Sequence, residues 1–153
     1  MAGQPPPRIG ALLLIVWQWV REETFEGVRA AGYGDVTSAH LALLRPPSLD
    51  GLRPIEIAGR MQITRQSVHE LLTHMEDHGY LAREADASNG RARVVRLTAT
   101  GRQLELEIRG QAGAAEAHIA ALLGDRRFIE LRDVLLDLAE GIGTAQPARR
   151  RTP

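Results

Sequence analysis

The apolar positions of this chain recur at helical spacing in most segments and alternate in one. From about Ile9 to Ala31 the apolar residues have the spacing of one helix face. Leu14, Ile15 and Trp19 lie outside that face, so apolar side chains cover most of the helix circumference. The glycines of "AGYGD" end the pattern. A helix that is apolar on most sides must be buried on more than one of them, which predicts a packing partner for this segment.

Two short helices are predicted next. In "TSAHLALLRPP", Thr37 or Ser38 is a suitable N-cap, and the Pro46-Pro47 pair is a stop signal. In "RPIEIAGRM", Pro54 fits the first turn of a second helix, because that position needs no backbone N–H. This part of the chain is therefore predicted to be a helix, a loop and a second helix.

A fourth helix and a β-hairpin follow. Thr64 is a good N-cap for a helix that reaches His78 and ends at Gly79, since glycine is favoured just after a helix. In "YLAREADASNGRARVVRLT", Val95 and Leu97 stand on alternate positions, and "SNGR" carries the Asn-Gly pair that favours a hairpin turn. Two adjacent helices followed by a polar-tipped hairpin are typical of a winged helix-turn-helix domain.

Two more helices are predicted after the hairpin, from Ala99 to about Leu123 and from Asp125 onward. The second carries an apolar seam suited to a partner helix, formed by Leu131, Leu135, Leu138 and Ile142. The predicted fold is mainly α with a small β-hairpin wing. It comprises a winged helix-turn-helix domain at residues 36–98, a helical dimerisation region from residues 8–35 and 99–143, and a disordered tail at residues 144–153.

Composition narrows the function classes. Nineteen basic residues, all arginine, balance nineteen acidic ones, so total charge predicts no polyanion partner, although a local basic patch can still bind one. The chain has no cysteine, which excludes disulfides and thiolate metal ligands. The apolar run at residues 9–20 is too short to span a bilayer and no cleavage signal follows it, so we expect a cytoplasmic protein without membrane association.

The fourth helix presents polar side chains that suit DNA. Its apolar face is formed by Val68, Leu71, Leu72 and Met75. Arg65, Gln66 and Ser67 are left outward in the first turn, beside the positive end of the helix dipole. Arginine suits guanine, glutamine suits adenine, and a hydroxyl suits phosphate or either base. By itself such a surface is more often an ordinary solvated helix face, and the neighbouring hairpin shifts the balance toward DNA.

The hairpin adds charged residues beside that helix. They are the basic residues Arg83, Arg91, Arg93 and Arg96 and the acidic residues Glu84 and Asp86. In isolation a solvated ribbon with local ion pairs is favoured. Next to a recognition helix, the same arginines can contact the minor groove or the flanking DNA backbone.

Histidines in the fourth helix raise the alternative of a metal site. His69 and His74 are five positions apart, which misses the spacing that puts two ligands on one helix face. His74 and His78 are four positions apart and could hold a metal ion together with Glu70, one turn earlier. A histidine near the C-terminal end of a helix is commonplace because its charge favours the helix dipole, so no metal ion or other cofactor is expected.

From about Leu52 to Arg102 the chain resembles the MarR family of bacterial transcriptional regulators, and its helical ends fit that family's layout. The resemblance is carried by "IEIAGRM" before the fourth helix, by "GYLAR" across its end, by "DASNGR" in the wing and by "VRLTATGR" after the wing. It implies a homodimer with interlocking terminal helices, two winged domains on one operator in double-stranded DNA, and a small-molecule ligand between the dimerisation and DNA-binding parts.

The predicted DNA-contacting residues are Thr64, Arg65, Gln66, Ser67 and His69 in the fourth helix and Gly90, Arg91 and Arg93 in the wing. The family's wing often reads Asp-x-Arg-Asp, whereas this chain has "DASN", so minor-groove contact is expected from Arg91 or Arg93. The ligand-pocket candidates are Trp17, Trp19, Phe25 and His40. Aromatic residues at helical spacing are more often core, and His40, where the family commonly has glutamine, could face the ligand cleft or only cap a helix.

The predicted function is that of a dimeric DNA-binding regulator, a repressor that a ligand releases from a pseudo-palindromic operator. It is not expected to be an enzyme, because no nucleophile-base set or phosphate-binding glycine loop is recognisable. Two alternatives stay open. One is a winged-helix module that binds protein, for which the acidic residues Glu70 and Asp77 are a slight hint. The other is a metal sensor that uses Glu70, His74 and His78.

Overall fold

The computed structural model describes residues 6–86 and 89–145, without the side chains of Asn89, Arg91, Thr144 and Ala145. In these ranges the chain forms α1 (Ile9–Ala30), α2 (Ser38–Leu43), α3 (Pro54–Met61), α4 (Arg65–Asp77), β1 (Leu81–Asp86), β2 (Asn89–Leu97), α5 (Ala99–Leu123) and α6 (Asp125–Ala145). The predicted mainly α fold with a small hairpin is thus confirmed. None of the described helices is long and apolar enough to cross a membrane.

A sharp turn separates α3 from α4. At the start of α3 the Arg53 N–H donates to the Glu56 carboxylate at 2.7 Å, which caps that helix. Its end is marked by Gln62, whose φ of 56° places it in the left-handed region. Two residues later the Thr64 hydroxyl oxygen accepts the N–H of Ser67 at 3.1 Å and begins α4. These local signals determine where the recognition-helix candidate starts.

The hairpin is anchored at its base. In the antiparallel pair of β1 and β2, Leu81 lies opposite Leu97. The Leu52 carbonyl oxygen accepts the Val95 N–H at 2.9 Å, and the Val95 carbonyl oxygen accepts the Gly51 N–H at 2.7 Å. A two-stranded hairpin is only marginally stable by itself, so these bonds to the segment before α3 help to position it.

The predicted turn at "SNGR" is wrong. Asn89 and Gly90 lie within β2, and Asn89 pairs with Asp86 after a shift of register, so the Asn89-Gly90 pair does not form the turn. Residues 87–88, which stand between the two strands, lie outside the described ranges. A two-residue Asn89-Gly90 loop would require a ladder one residue out of the observed register. Such a slip would turn the buried Val95 and Leu97 side chains toward the opposite face.

Residues 1–113 form one compact unit. Its hydrophobic core contains residues from the four helices α1, α2, α3 and α4, from the hairpin and from the start of α5. The predicted apolar face of α4 is confirmed: Val68, Leu72 and Met75 are buried, and Leu71 packs against the same core. The opposite face of α4 remains at the surface. The N-terminal half of α1 carries exposed apolar side chains, among them Ile9, Leu14, Ile15 and Trp17.

Residues 114–153 form the second unit, which is described to residue 145. It holds the end of α5 and the whole of α6, which are separated by Gly124 with a positive φ of 78°. The predicted seam of α6 is exposed in the single chain at Leu131, Leu135, Leu138 and Ile142. Helix α6 reaches Ala145, and the remainder of the predicted tail lies outside the described residues.

Candidate nucleic-acid interface

The first turn of α4 faces solvent. Thr64, Arg65, Gln66 and His69 are exposed, and Ser67 is partly buried. The N-terminal end of a helix carries partial positive charge and unpaired N–H groups, which favours anions such as phosphate. Arg65 makes no hydrogen bond or ion pair to the described residues, so its guanidinium group can bind an external acceptor.

Thr64 and Ser67 are committed mainly to shaping this turn. Besides accepting the Ser67 N–H, the Thr64 hydroxyl lies 2.8 Å from the Ser67 hydroxyl, where either group can be the donor. The pair therefore fixes the start of the helix and leaves Ser67 with limited freedom to reach a ligand. Thr64 is first of all a capping residue.

Gln66 is held by Glu70 in the next turn. The Gln66 side-chain amide donates to the Glu70 carboxylate at 3.1 Å. Recognition of adenine by glutamine uses both the amide N–H group and the amide oxygen. Glu70 therefore competes with a base for the Gln66 donor, and its negative charge opposes the approach of phosphate.

His69 is oriented by Arg83 from the hairpin. The Arg83 Nη1 group lies 3.1 Å from His69 Nδ1, and because a guanidinium group can only donate, Nδ1 must accept. A neutral His69 then carries its proton on Nε2. The imidazole is thus prepared to donate to an acceptor on a base edge or to a phosphate oxygen.

Arg83 joins the hairpin to α4 through three residues of that helix. Besides His69, its Nη2 group donates to the Thr73 hydroxyl at 2.6 Å. Its Nε atom lies 3.0 Å from a Glu76 carboxylate oxygen, an ion-pair contact, and the Arg83 backbone N–H donates to the other oxygen at 3.1 Å. The sequence suggested Arg83 only as one of four hairpin arginines able to contact DNA, and its role in holding β1 against α4 emerges only from these contacts.

The hairpin arginines divide into two groups. The Arg96 guanidinium lies 3.8 Å from the Asp50 carboxylate and 3.9 Å from the Glu84 carboxylate. Like Arg83, it therefore forms ion pairs within the protein. Arg93 is exposed and makes a long contact of 3.4 Å to the Arg83 carbonyl oxygen. Gly90 is exposed, while the side chain of Arg91 lies outside the described residues. Among the described arginines, Arg93 is the one best placed to reach beyond the wing.

The four ligand-pocket candidates lie in different surroundings. Trp17 is exposed, with the Arg45 guanidinium 4.8 Å from its ring centroid. Trp19 is two positions along the same helix and so points to another side of α1, about 200° around the axis. Phe25 packs against the core, and His40 is buried in α2 with its ring on that of His74.

A surface cavity of about 460 Å³ opens beside α2 and α3. Its lining residues are Ala42, Arg45, Pro46, Arg60, Met61 and Gln62, a set that contains none of the four candidates. Arg60 is held there by hydrogen bonds to the carbonyl oxygens of Arg45 and Ser48. Arg45 links this cavity to Trp17 and provides a cationic group beside an exposed aromatic ring.

The structure also changes the composition of the histidine cluster. Asp35 lies beside His74 and His78, whereas the alternative metal site considered from the sequence had Glu70 as its third residue. The Glu70 carboxylate accepts a hydrogen bond from the Gln66 side chain, one helical turn earlier. Asp35 belongs to the connection between α1 and α2, so no periodicity within α4 could have identified it.

The pKa values of two residues at this cluster are shifted. Burial, and then the neighbouring His74 imidazole, lower the pKa of His40 to about 4. Burial, and then a hydrogen bond to Asp35, raise the pKa of Tyr80 to about 12. Near neutral pH, His40 is therefore uncharged and Tyr80 remains a hydrogen-bond donor.

Comparisons with known proteins agree on the family. The family model described as MarR family matches residues 35–92. HTH-type transcriptional repressor Rv2887 of Mycobacterium tuberculosis is 33% identical over 116 residues, which cover 75% of this chain and 81% of that protein. HTH-type transcriptional repressor Mb2911 of Mycobacterium bovis matches with the same identity of 33% over the same shares of 75% and 81%.

Solved structures show the same fold. The crystal structure of Rv2887 of Mycobacterium tuberculosis in complex with salicylic acid matches with a TM-score of 0.68 at 31% identity, over 90% of this chain and 99% of that one. Wild-type MarR of E. coli, in its apo form, matches with a TM-score of 0.73 at 17% identity, over 88% of this chain and 98% of that one. The winged-helix architecture is confirmed by these likenesses.

Proposed function

The chain belongs to the MarR family of transcriptional regulators, and from that premise we propose that it is a repressor that binds DNA sequence-specifically as a homodimer. The observation that carries the proposal is the exposed first turn of α4, where Arg65 has no partner among the described residues. This turn lies at the positive end of the helix dipole, and the side chain of His69 is already oriented there by the wing.

In the proposed complex, α4 enters the major groove with its N-terminal turn foremost. Arg65 reads a guanine edge, and Gln66 reads adenine once Glu70 shares or releases its amide. His69 donates through Nε2 to a base or to the backbone, while Thr64 and Ser67 keep the turn in shape and offer hydroxyls to phosphate.

The wing completes the proposed contact. Arg93 and Arg91 extend toward the minor groove or the adjacent phosphates, and Gly90 allows close approach of the backbone. Arg83 and Arg96 are assigned to positioning, because both are paired within the protein. With a formal net charge of zero, the protein should have modest affinity for non-specific DNA, and a small number of arginines should dominate the salt dependence.

A homodimer is proposed from the apolar surfaces that the single chain leaves exposed. The N-terminal half of α1 and the seam of α6 are both apolar and accessible, and contiguous exposed apolar surface of this kind usually marks an interface. A two-fold dimer would read a pseudo-palindromic operator with half-sites about 34 Å apart.

An aromatic carboxylic acid is the proposed class of effector. The support is the relative Rv2887, whose crystal structure is a complex with salicylic acid. Here Arg45 beside the exposed ring of Trp17 offers a cation and an aromatic surface, and Trp19, Phe25 and His40 stay the other pocket candidates. Such a ligand releases the operator only if it binds more tightly to the conformation that cannot span both half-sites.

The alternative of a protein-binding wing has less support. It rested on the acidic residues Glu70 and Asp77, which are both exposed. Glu70 is engaged by Gln66, whereas Arg65 is left unpaired among the described residues, so the exposed turn favours an anionic partner.

The test is a selection of bound fragments from the genome of origin, followed by fluorescence-anisotropy titration of the enriched sequence with scrambled DNA as competitor. We expect Arg65→Ala to weaken specific binding about tenfold or more, since one bidentate contact to guanine contributes about 1–3 kcal/mol. Arg126→Ala removes the same charge from the exposed start of α6 and should leave the affinity unchanged. Failure to enrich any sequence over scrambled DNA would overturn the proposal.

A further inference from the structure

Asp35, His74 and His78 meet at the C-terminal half of α4, away from the turn proposed to contact DNA. We propose that these three residues form a binding site for a late first-row divalent cation, with Zn²⁺ as the best-fitting ion. The ion would tie α4 to the connection between α1 and α2, since Asp35 precedes His74 by 39 residues.

The ligand atoms are close enough to converge on one ion. One nitrogen of each histidine and a carboxylate oxygen of Asp35 all lie within 4.8 Å of one another. In a tetrahedral zinc site with bonds of about 2.0–2.1 Å, neighbouring ligand atoms are about 3.4 Å apart. The His78 ring is exposed and stacks on the His74 ring with 4.1 Å between centroids, so the two rings must tilt apart to close this difference, a change that the surface position of His78 allows.

The hydrogen bonds prepare His78 to bind an ion. His78 Nδ1 lies 2.8 Å from the His74 carbonyl oxygen, which can only accept, so the proton of a neutral His78 is on Nδ1. Its Nε2 atom then carries a free lone pair. A metal-binding histidine commonly has this arrangement, with the other ring nitrogen donating to a carbonyl group.

Asp35 offers a carboxylate oxygen that accepts no hydrogen bond from the described residues. One of its oxygens accepts the Tyr80 hydroxyl proton at 3.0 Å, which orients the group. The other is buried without a hydrogen-bond partner and lies 4.0 Å from His74 Nε2. His74 Nε2 is also 3.0 Å from the Asp35 carbonyl oxygen, so an ion would replace the proton that this nitrogen shares with the carbonyl group.

His40 acts as a positioning residue behind the site. Its ring stacks on His74 with 4.3 Å between centroids, and its Nδ1 atom accepts the Thr37 N–H at 3.0 Å. The buried His40 ring therefore supports the His74 ring from the side of α2.

The donor set selects the class of ion. Two imidazoles and one carboxylate suit zinc and its neighbours, whereas magnesium and calcium prefer sites made of oxygen atoms. Three protein ligands leave the fourth tetrahedral position to water. The consequence for DNA binding, through α4, rests on the proposed function, but the metal site itself does not.

The experiment is calorimetric titration of the untagged, chelator-treated full-length protein with zinc chloride, in the absence of DNA. We expect one Zn²⁺ per chain, and a visible spectrum of the Co²⁺ form that is typical of tetrahedral nitrogen and oxygen ligands. His78→Ala and Asp35→Asn should each weaken binding by about tenfold or more. Asparagine keeps an oxygen for the Tyr80 donor, and circular dichroism will show whether each variant is folded.

Two controls separate this site from non-specific binding to histidine. Glu70→Ala removes the third ligand suggested by the sequence, and His118→Ala removes a histidine of α5, so both should leave the zinc affinity unchanged. An unchanged affinity in folded His78→Ala, or an equal loss in His118→Ala, would overturn the proposal. Since zinc binding is measured without DNA, a protein that binds zinc but no operator would refute only the proposed function, and the converse result would refute only the metal site.

Discussion

His40 is buried in α2 between the end of α1 and the recognition-helix candidate. Its packing on His74 and its hydrogen bond from Thr37 both suit an uncharged imidazole. Burial and then His74 lower its pKa from 6.5 to about 4, against a smaller opposing effect of Asp35. The folded protein therefore resists protonation of His40 over a range in which an exposed histidine would take up a proton.

The folded state should accordingly be less stable in mild acid than at neutral pH. An unfolded chain protonates His40 near pH 6.5 and the folded chain only near about 4, so the stability that neutral His40 provides is lost progressively as the pH falls between these values. We expect the free energy of unfolding by urea to decrease more steeply from about pH 7 to pH 5 in the wild type than in His40→Gln. Parallel pH profiles at equal protein concentration would refute this assignment.

Gly101 lies in the first turn of α5, close to the backbone of Tyr80, which follows α4. A Cβ atom at this position would lie 1.8 Å from the Tyr80 carbonyl oxygen and 2.9 Å from its carbonyl carbon. The Tyr80 carbonyl oxygen also accepts the Thr98 N–H at 3.1 Å, so this backbone is held in place. The close approach of the two segments requires glycine here.

Gly101→Ala should destabilise the protein by about 3 kcal/mol, because the clash outweighs the gain of about 1 kcal/mol from replacing a helical glycine. Gly59→Ala is the matched control, since Gly59 lies within α3 and nothing approaches its Cβ position within 4 Å. The control should be neutral or slightly stabilising. Thermal and urea unfolding measure both variants, and equal losses in the two would show that the contact with Tyr80 is not the cause.

Arg83 connects the two elements proposed to contact DNA, α4 and the wing. Arg83 reaches His69, Thr73 and Glu76 from β1, and its side chain is largely buried. The wing is therefore positioned relative to the helix before any DNA is present. Such preorganisation reduces the entropy lost on binding.

Arg83→Ala should weaken operator binding about tenfold and leave the salt dependence of binding unchanged. A positioning residue acts through geometry, whereas loss of a phosphate contact lowers the slope of log affinity against log salt by about one. Anisotropy titrations at several salt concentrations distinguish these roles. Arg83→Lys is the matched variant that keeps the charge but cannot make the three contacts, so full recovery of affinity by lysine would show that charge, and not positioning, matters.

At the level of the whole molecule, the apolar surface that the single chain exposes leads us to expect a dimer. The exposed apolar residues of α1 and the seam of α6 would be costly to leave in water. A chain of 16.8 kDa should therefore sediment at twice that mass.

Leu135→Glu combined with Leu138→Glu should convert the dimer to monomers, because two charges would have to be buried in the interface without partners. Sedimentation velocity measures the change. Asp133→Lys alters charge on the opposite side of the same helix and should leave the dimer intact. A wild type that sediments as a monomer, or a double variant that remains dimeric, would contradict the proposed interface.

Local chemistry in the sequence was sufficient to predict the elements and their order. Thr64 as N-cap, Pro54 in a first turn and the apolar spacing of α4 each act within a few residues, so they can be identified without the fold. The same patterns predicted the inward face of α4 and the apolar seam of α6, which is exposed in the single chain. Order and spacing of the motifs then indicated the family, and with it the candidate DNA-binding surface.

Tertiary structure alone decided which side chains share a site. Asp35 joins His74 across 39 residues of chain, and Arg83 reaches back to α4 from the hairpin, so no local periodicity could reveal either contact. The turn of the wing was mispredicted for a related reason. The register of β1 and β2 is set by burial of Val95 and Leu97 in the core, and that long-range requirement overrides the local preference of Asn89-Gly90 for a turn.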